Sequence, residues 1–104
     1  MIGSIKFEKL DEIKQEAELG YFLKKDYWGR GLMTECVKEI LFLSFGEFDL
    51  KRLSIVTHQE NLASQRVAQK AGFKMCRQFK GSDRYTRKMR DYIEFRYERG
   101  DFYE

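Results

Sequence analysis

The sequence predicts an α/β (α+β) domain, one mixed β-sheet flanked by helices in the order β-β-α-β-α-β-β. Three observations predict it. Five short stretches read as strands, with alternation plainest at Ile5 and Phe7 and at Leu53, Ile55 and Thr57. Between them lie two segments whose apolar residues recur at helical spacing. A glycine follows each helical segment, and the chain has no proline to break either one.

The elements follow in order. Ile2–Phe7 reads as the first strand, and the polar stretch Lys9–Gln15 suits a hairpin loop. Ala17–Leu23 is apolar and aromatic and reads as the second strand. Asp26–Gly31 contains two glycines and must turn. Leu32–Phe45 is the clearest helix: Met33, Val37, Ile40, Leu41 and Phe45 form one apolar stripe, Glu35 suits the positive end of the dipole, and Gly46 stands where a helix ends. Lys51–Thr57 is the third strand. Asn61–Ala71 is a shorter helix, with Asn61 as N-cap, Ala63, Val67 and Ala71 on its buried face, and Gly72 as left-handed C-cap. Phe73–Phe79 and Asp91–Tyr97 complete the sheet, joined by a basic loop around Gly81.

Composition bounds the function. With 104 residues, no repeat and no linker, residues 1–104 read as a single domain. Such a domain buries roughly two thirds of its unfolded surface. Nine Phe, six Tyr and one Trp supply much of that burial, and 36% charged residues keep the surface solvated. Lys74 to Arg90 carries seven basic residues against the single acid Asp83, while the first fifty residues lean acidic. The basic stretch suits phosphates, acidic peptides or RNA, or equally a solvated hairpin face. Cys36 and Cys76 have no metal-ligand spacing and read as packing residues with free thiols, which makes a cytoplasmic home the default. No apolar run reaches membrane length, and Met1–Ile5 lacks the features of a signal peptide.

Two segments carry chemistry. Tyr27-Trp28-Gly29-Arg30-Gly31-Leu32-Met33-Thr34 joins a strand to a helix. Glycines let the backbone approach a ligand, and amides running into a helix N-terminus form an anion nest suited to a diphosphate. The alternative is a tight connection with Trp28 packed in the core. In the second segment, Asn61 and Ser64 lie three apart on one helix face. They read either as a ligand pair or as an N-cap and its polar partner.

Taken together, the stretch Glu18–Leu23, then Tyr27–Gly31, Thr34-Glu35, Asn61-x-x-Ser64 and Lys70-x-Gly72-Phe73 resembles the GCN5-related N-acetyltransferase (GNAT) superfamily. Within it, the pattern resembles the ribosomal-protein-alanine N-acetyltransferase branch, over almost the whole chain.

The resemblance implies a cofactor and a reaction. Acetyl-coenzyme A would sit where the parallel strands Ala17–Leu23 and Lys51–Thr57 splay apart. Its pantetheine arm would meet the backbone of Phe22 and Leu23, and its diphosphate the amides of Trp28, Gly29, Arg30, Gly31, Leu32 and Met33, with Thr34 adding a hydroxyl. Asn61 would bond the pantetheine or a nearby carbonyl, and Lys70 would help with the adenosine phosphates. A neutral primary amine, on a peptide N-terminus or a small molecule, would attack the thioester directly, with no metal. Ser64 is the candidate proton donor to the leaving thiolate and Glu18 the first candidate base, ahead of His58 and Glu60. An amide of the Ala17–Leu23 strand would hold the oxyanion. Tyr21 reads as core or as acceptor-site wall, and His58 as an exposed loop histidine.

The chain also departs from the family pattern. Asp26 stands where Gln or Arg often opens the diphosphate loop, and Ala68 where many relatives carry a tyrosine acid. A strand, two helices and a further strand precede the matching region in family members, so an N-terminally truncated, partial domain is expected. An unpaired sheet edge in such a domain invites a homodimer. Two rival readings stay open: a coenzyme A-binding remnant without turnover, and an RNA-associated module using the Lys74–Arg90 stretch. No RNA-reading motif is present, so nucleic acid is not the expected partner.

Overall fold

The computed structural model describes residues 3–23, 27, 31–83 and 86–102. The strands are β1 (Gly3–Asp11), β2 (Glu16–Leu23), β3 (Arg52–His58), β4 (Lys74–Ser82) and β5 (Met89–Glu98). They form one sheet in the order β1-β2-β3-β5-β4. β2 and β3 run parallel and the other neighbours antiparallel, so the sheet is mixed as expected. Helices α1 (Leu32–Phe42) and α2 (Leu62–Lys70) connect β2 to β3 and β3 to β4, and a short α3 (Arg99–Phe102), which the sequence reading lacks, follows β5.

Parity explains the core. Ala17 and Leu19 of β2, Leu53 and Ile55 of β3, and Ile93 and Phe95 of β5 all turn to one face. Met33, Val37, Leu41 and Phe45 pack there as the expected stripe, with Ile40 only half-buried. Ala68, Ala71 and Phe73 join the same cluster, so both helices share one core and touch each other. Tyr97 is wedged between Phe45 and Phe73, with ring centroids 5.8 and 5.5 Å away.

Several local expectations need correction. Gly46 does not end α1. Past Phe42 the chain widens into a π-helical turn, Leu43–Glu47, closed by Phe48 N donating to Leu43 O and Leu50 N to Ser44 O. The left-handed residue is Asp49, at φ 53°, a residue type that tolerates this conformation. The wider turn returns the buried Leu50 to the core ahead of β3. Gly81 lies inside β4, paired with Arg90, and the turn falls beyond it. Both cysteines are exposed, Cys36 on the outer side of α1 and Cys76 at the bulge of edge strand β4. Ala63 and Val67 are half-buried, while Ala68 and Ala71 form the core-facing side of α2.

The caps of α2 are as expected. The Asn61 side chain accepts from the Ser64 backbone N–H at 3.0 Å, and Gly72 sits at φ 99°. Asn61→Ala removes that bond and is expected to cost about 1 kcal/mol, read as a lower denaturant midpoint at unchanged slope. Among the described residues no helix is long and apolar enough to cross a membrane.

Candidate functional site

The site begins where the parallel ladder stops. β2 and β3 are in register from Glu16↔Arg52 to Leu19↔Ile55 and no further. Beyond that point β2 continues along β1 to Gly3↔Leu23, and β3 continues along β5 to His58↔Tyr92. The facing edges of Gly20–Leu23 and Val56–His58 therefore diverge, and their backbone groups take no partner from each other.

Two cavities adjoin the divergence. The smaller, of about 430 Å³, is lined by Phe22, Gly31, Leu32, Met33, Thr34, Asn61, Ser64 and Lys70, all expected ligand residues. Leu23 belongs to β2 and pairs with Gly3. Trp28, Gly29 and Arg30, with Asp26, lie outside the described residues. Tyr27, Ala63, Arg66 and Val67 also line this cavity. Ala63, Arg66, Val67 and Lys70 recur at i, i+3, i+4 and i+7, which is one face of α2. That spacing was visible in the sequence, but it fits a core stripe as well as a cavity wall.

The start of α1 faces the smaller cavity. Gly31 is its N-cap residue at φ 73° and ψ 6°, and no side chain caps the helix. Gly31 O accepts from Glu35 N at 3.0 Å, which closes the first turn and leaves the amides of Leu32–Thr34 without intrahelical acceptors. A side chain at Gly31 would meet no atom within 4 Å outside its chain neighbours. The backbone thus presents donors, a positive dipole end and empty space in one place, which fits an anionic group. Thr34 is almost fully buried beside them. Arg66 and Lys70 add cationic side chains from α2.

The larger cavity, of about 770 Å³, lies on the sheet face away from the core and includes Glu18, Ser54, His58, Tyr92 and Glu94. Glu18 is half-buried on β2, opposite Ser54 and Lys9. Glu60 is spent on an exposed pair with Arg90 at 2.8 Å. His58 is not an exposed loop residue. It closes β3, its ring stacks on Tyr92 at 4.8 Å, and its Nε2 lies 3.6 Å from an Asp83 carboxylate oxygen. Its Nδ1 is buried with no partner among the described residues. No local pattern signals this pairing, because Asp83 lies 25 positions away in the chain.

Tyr21, Asn61 and Ser64 are the residues common to both cavities. The Tyr21 hydroxyl donates to Ser64 O at 2.8 Å, and Ser64 Oγ donates to the Tyr21 oxygen at 3.0 Å. Burial pushes the Tyr21 phenol above its ordinary value, although its hydrogen bond with Ser64 acts the other way. Tyr21 is therefore neither simple core nor simple wall.

The basic stretch is partly neutralised: Lys74 pairs with Asp101, Arg77 with Glu94 and Arg90 with Glu60. Among the described residues no group of three or more His, Cys, Asp or Glu is placed to hold a metal ion.

Known proteins share this fold. The family profile described as an acetyltransferase (GNAT) domain matches residues 1–74. The "Probable N-acetyltransferase YjcK" of Bacillus subtilis (strain 168) is 39% identical over 74 residues, covering 70% of this chain and 41% of that protein. The structure of a ribosomal-protein-S5-alanine acetyltransferase from Vibrio fischeri superposes with a TM-score of 0.87 at 22% identity, over 96% of this chain and 55% of the other. RimL, a ribosomal L7/L12 α-N-protein acetyltransferase solved with coenzyme A, gives a TM-score of 0.83 at 22% identity over 92% and 54%. The chain thus spans about two fifths of the curated relative's own length. With the sheet order, the diverging strands and the profile match in agreement, the chain belongs to the GNAT acetyltransferase family.

Proposed function

We propose that this chain holds acetyl-coenzyme A and forms the donor half of an N-acetyltransferase acting on a primary amine, with a protein N-terminal α-amine as the acceptor class. The observation that carries the reading is the divergence of β2 from β3 after Leu19 and Ile55, which opens onto the uncapped start of α1.

Each residue has a part in this reading. The free edge of β2 at Phe22 and Leu23 offers backbone groups to an extended amide-containing arm. Gly31, Leu32, Met33 and Thr34, continuing from Trp28, Gly29 and Arg30, hold the diphosphate. Arg66 and Lys70 neutralise the remaining phosphate charge. Bound acetyl-coenzyme A supplies an activated acyl thioester. Ser64 donates a proton toward the sulfur, and Glu18 on the larger cavity takes one from the amine, with His58 beside Asp83 the second candidate there.

The chemistry favours an α-amine. Its pKa of about 7.7–8.0 leaves a useful neutral fraction at pH 7, whereas lysine at about 10.4 is almost wholly charged. RimL and the Vibrio fischeri protein, named for ribosomal-protein substrates, support the same class.

Calorimetry of coenzyme A against the folded chain tests the reading. Measurable heat and a thermal shift are expected, followed by acetylation of an N-terminal peptide in preference to spermidine. Binding without turnover would favour a coenzyme A-binding remnant. No heat and no thermal shift would overturn the proposal.

A further inference from the structure

The hydroxyl pair between the two cavities goes beyond the roles given so far. Ser64 alone is a weak acid, and Ala68, one turn on, is buried in the core and offers no hydroxyl. A phenol reaches Ser64 from the opposite wall. Tyr21 projects from the diverging part of β2, and its oxygen lies 3.0 Å from Ser64 Oγ and 2.8 Å from Ser64 O. The phenolic hydrogen therefore has two acceptors within reach, and a small rotation about the C–O bond moves it from the carbonyl to Oγ. The helix geometry permits that move, because the α2 ladder already offers the Ser64 carbonyl a second donor.

We propose that Tyr21 is a positioning residue that aims and reloads the Ser64 hydroxyl. The proposal rests on the acetyltransferase reading above. With the phenolic hydrogen on Ser64 Oγ, the serine hydrogen is freed from Tyr21 and points into the smaller cavity. As the carbon–sulfur bond breaks, its electron pair stays on sulfur. Ser64 gives its proton to that sulfur, Tyr21 gives its proton to Ser64 Oγ, and the proton that Glu18 takes from the amine nitrogen returns to Tyr21 through the larger cavity, which both residues line. Amine and thioester become amide and thiol with no proton left over. Tyr21 suits this circuit because it lines both cavities. Burial keeps its phenol protonated through the neutral range, so the donor is loaded before each transfer.

The sulfur end can be read without turnover. A hydroxyl aimed at sulfur stabilises the thiolate and lowers the thiol pKa of bound coenzyme A. Affinity for coenzyme A relative to desulfo-coenzyme A then rises with pH, by up to about tenfold for each unit of lowering. Other titratable groups face the pair: Glu18 of β2, Glu8 and Lys9 of β1, His58 of β3, Asp83 beyond β4, and Arg66 and Lys70 of α2. Their effects on the parts common to both ligands cancel in the ratio, and any effect on the thiolate alone is the part of the climb that survives Ser64→Ala.

The expected result is a ratio that climbs about tenfold between pH 6.5 and 9.5 in the unaltered chain. Tyr21→Phe and Ser64→Ala should each flatten it to under about twofold, and the double variant should add nothing, as for two groups acting in series. Thermal melts check that each variant is folded. A Tyr21→Phe chain that keeps the full climb while Ser64→Ala loses it would overturn the proposal. Equal binding of both ligands at every pH by the unaltered chain would overturn it too, leaving the cofactor site standing. If neither ligand binds, the acetyltransferase reading itself has failed, and the relay with it.

Discussion

Gly31→Val is expected to lower coenzyme A affinity by at least about 100-fold, near 3 kcal/mol, in a chain that still folds. Two effects act together. Gly31 sits at φ 73°, where a side chain costs about 1–2 kcal/mol and a β-branched one more. The backbone relieves that strain by leaving the left-handed region, which turns the Leu32–Thr34 amides away from their common focus. The valine methyl groups also enter open space at the helix start, where a Cβ meets no atom within 4 Å outside Gly31 and its chain neighbours. The protein itself therefore offers no clash, and the loss falls on whatever occupies that space. Gly31→Ala, with the same φ problem and less bulk, should lose about tenfold. Calorimetry gives the affinities, and melting curves should show a fall of only a few degrees. Unchanged affinity in folded Gly31→Val would mean that the diphosphate lies elsewhere.

The start of α1 was legible because its signals are local. A glycine in a left-handed turn, an amide-rich helix start and a hydroxyl at Thr34 all fall within a few residues. The caps of α2 were legible for the same reason, since Asn61 and Gly72 act on neighbours three and four positions away. The strands of the core were legible because Leu53, Ile55 and Thr57 bury one side of a period-two pattern.

What the sequence concealed depends on distant partners. Tyr21 looks like any aromatic in an apolar strand until β2 and α2 bring Ser64, 43 positions on, within hydrogen-bond reach. His58 looks like a loop residue until Asp83 and Tyr92 close around it. The end of α1 was misread because a glycine is a strong local stop, yet the buried position of Leu50 demands a wider turn. In α2, the spacing that marks an apolar face is the same whether core or cavity lies beside it. Only the tertiary structure separates Ala68 from Ala63.

The second large effect lies on the open face of the sheet. Glu94 of β5 is buried, with only 7% of its side chain exposed, although it faces away from the hydrophobic core. Arg77 Nε and Arg96 Nε each donate to it at 2.7 Å, one to each carboxylate oxygen. Burial pushes the Glu94 carboxyl up, but the two guanidinium groups outweigh it and hold the carboxyl below the usual carboxylate range. Arg77 comes from β4 just after the bulge between Met75 and Arg77, so this cluster locks the register of an edge strand where the ladder is irregular.

Glu94→Gln keeps the shape and removes the charge, and it is expected to cost about 2 kcal/mol at pH 7. The cost stays below that of a fully buried pair because Arg77 is 57% exposed and can turn to water. The pH dependence fixes the cause. A carboxyl held low in the folded state contributes its full stability above the ordinary glutamate value of about 4.3. That contribution is lost as pH falls from there through the lower, folded value. The gap between the original chain and Glu94→Gln should therefore be constant from pH 6 to 8 and close below about pH 4.3. Urea midpoints across that range measure it. A gap that persists at low pH would assign the loss to packing of the amide, and no gap at pH 7 would mean that desolvation of Glu94 cancels both arginine bonds.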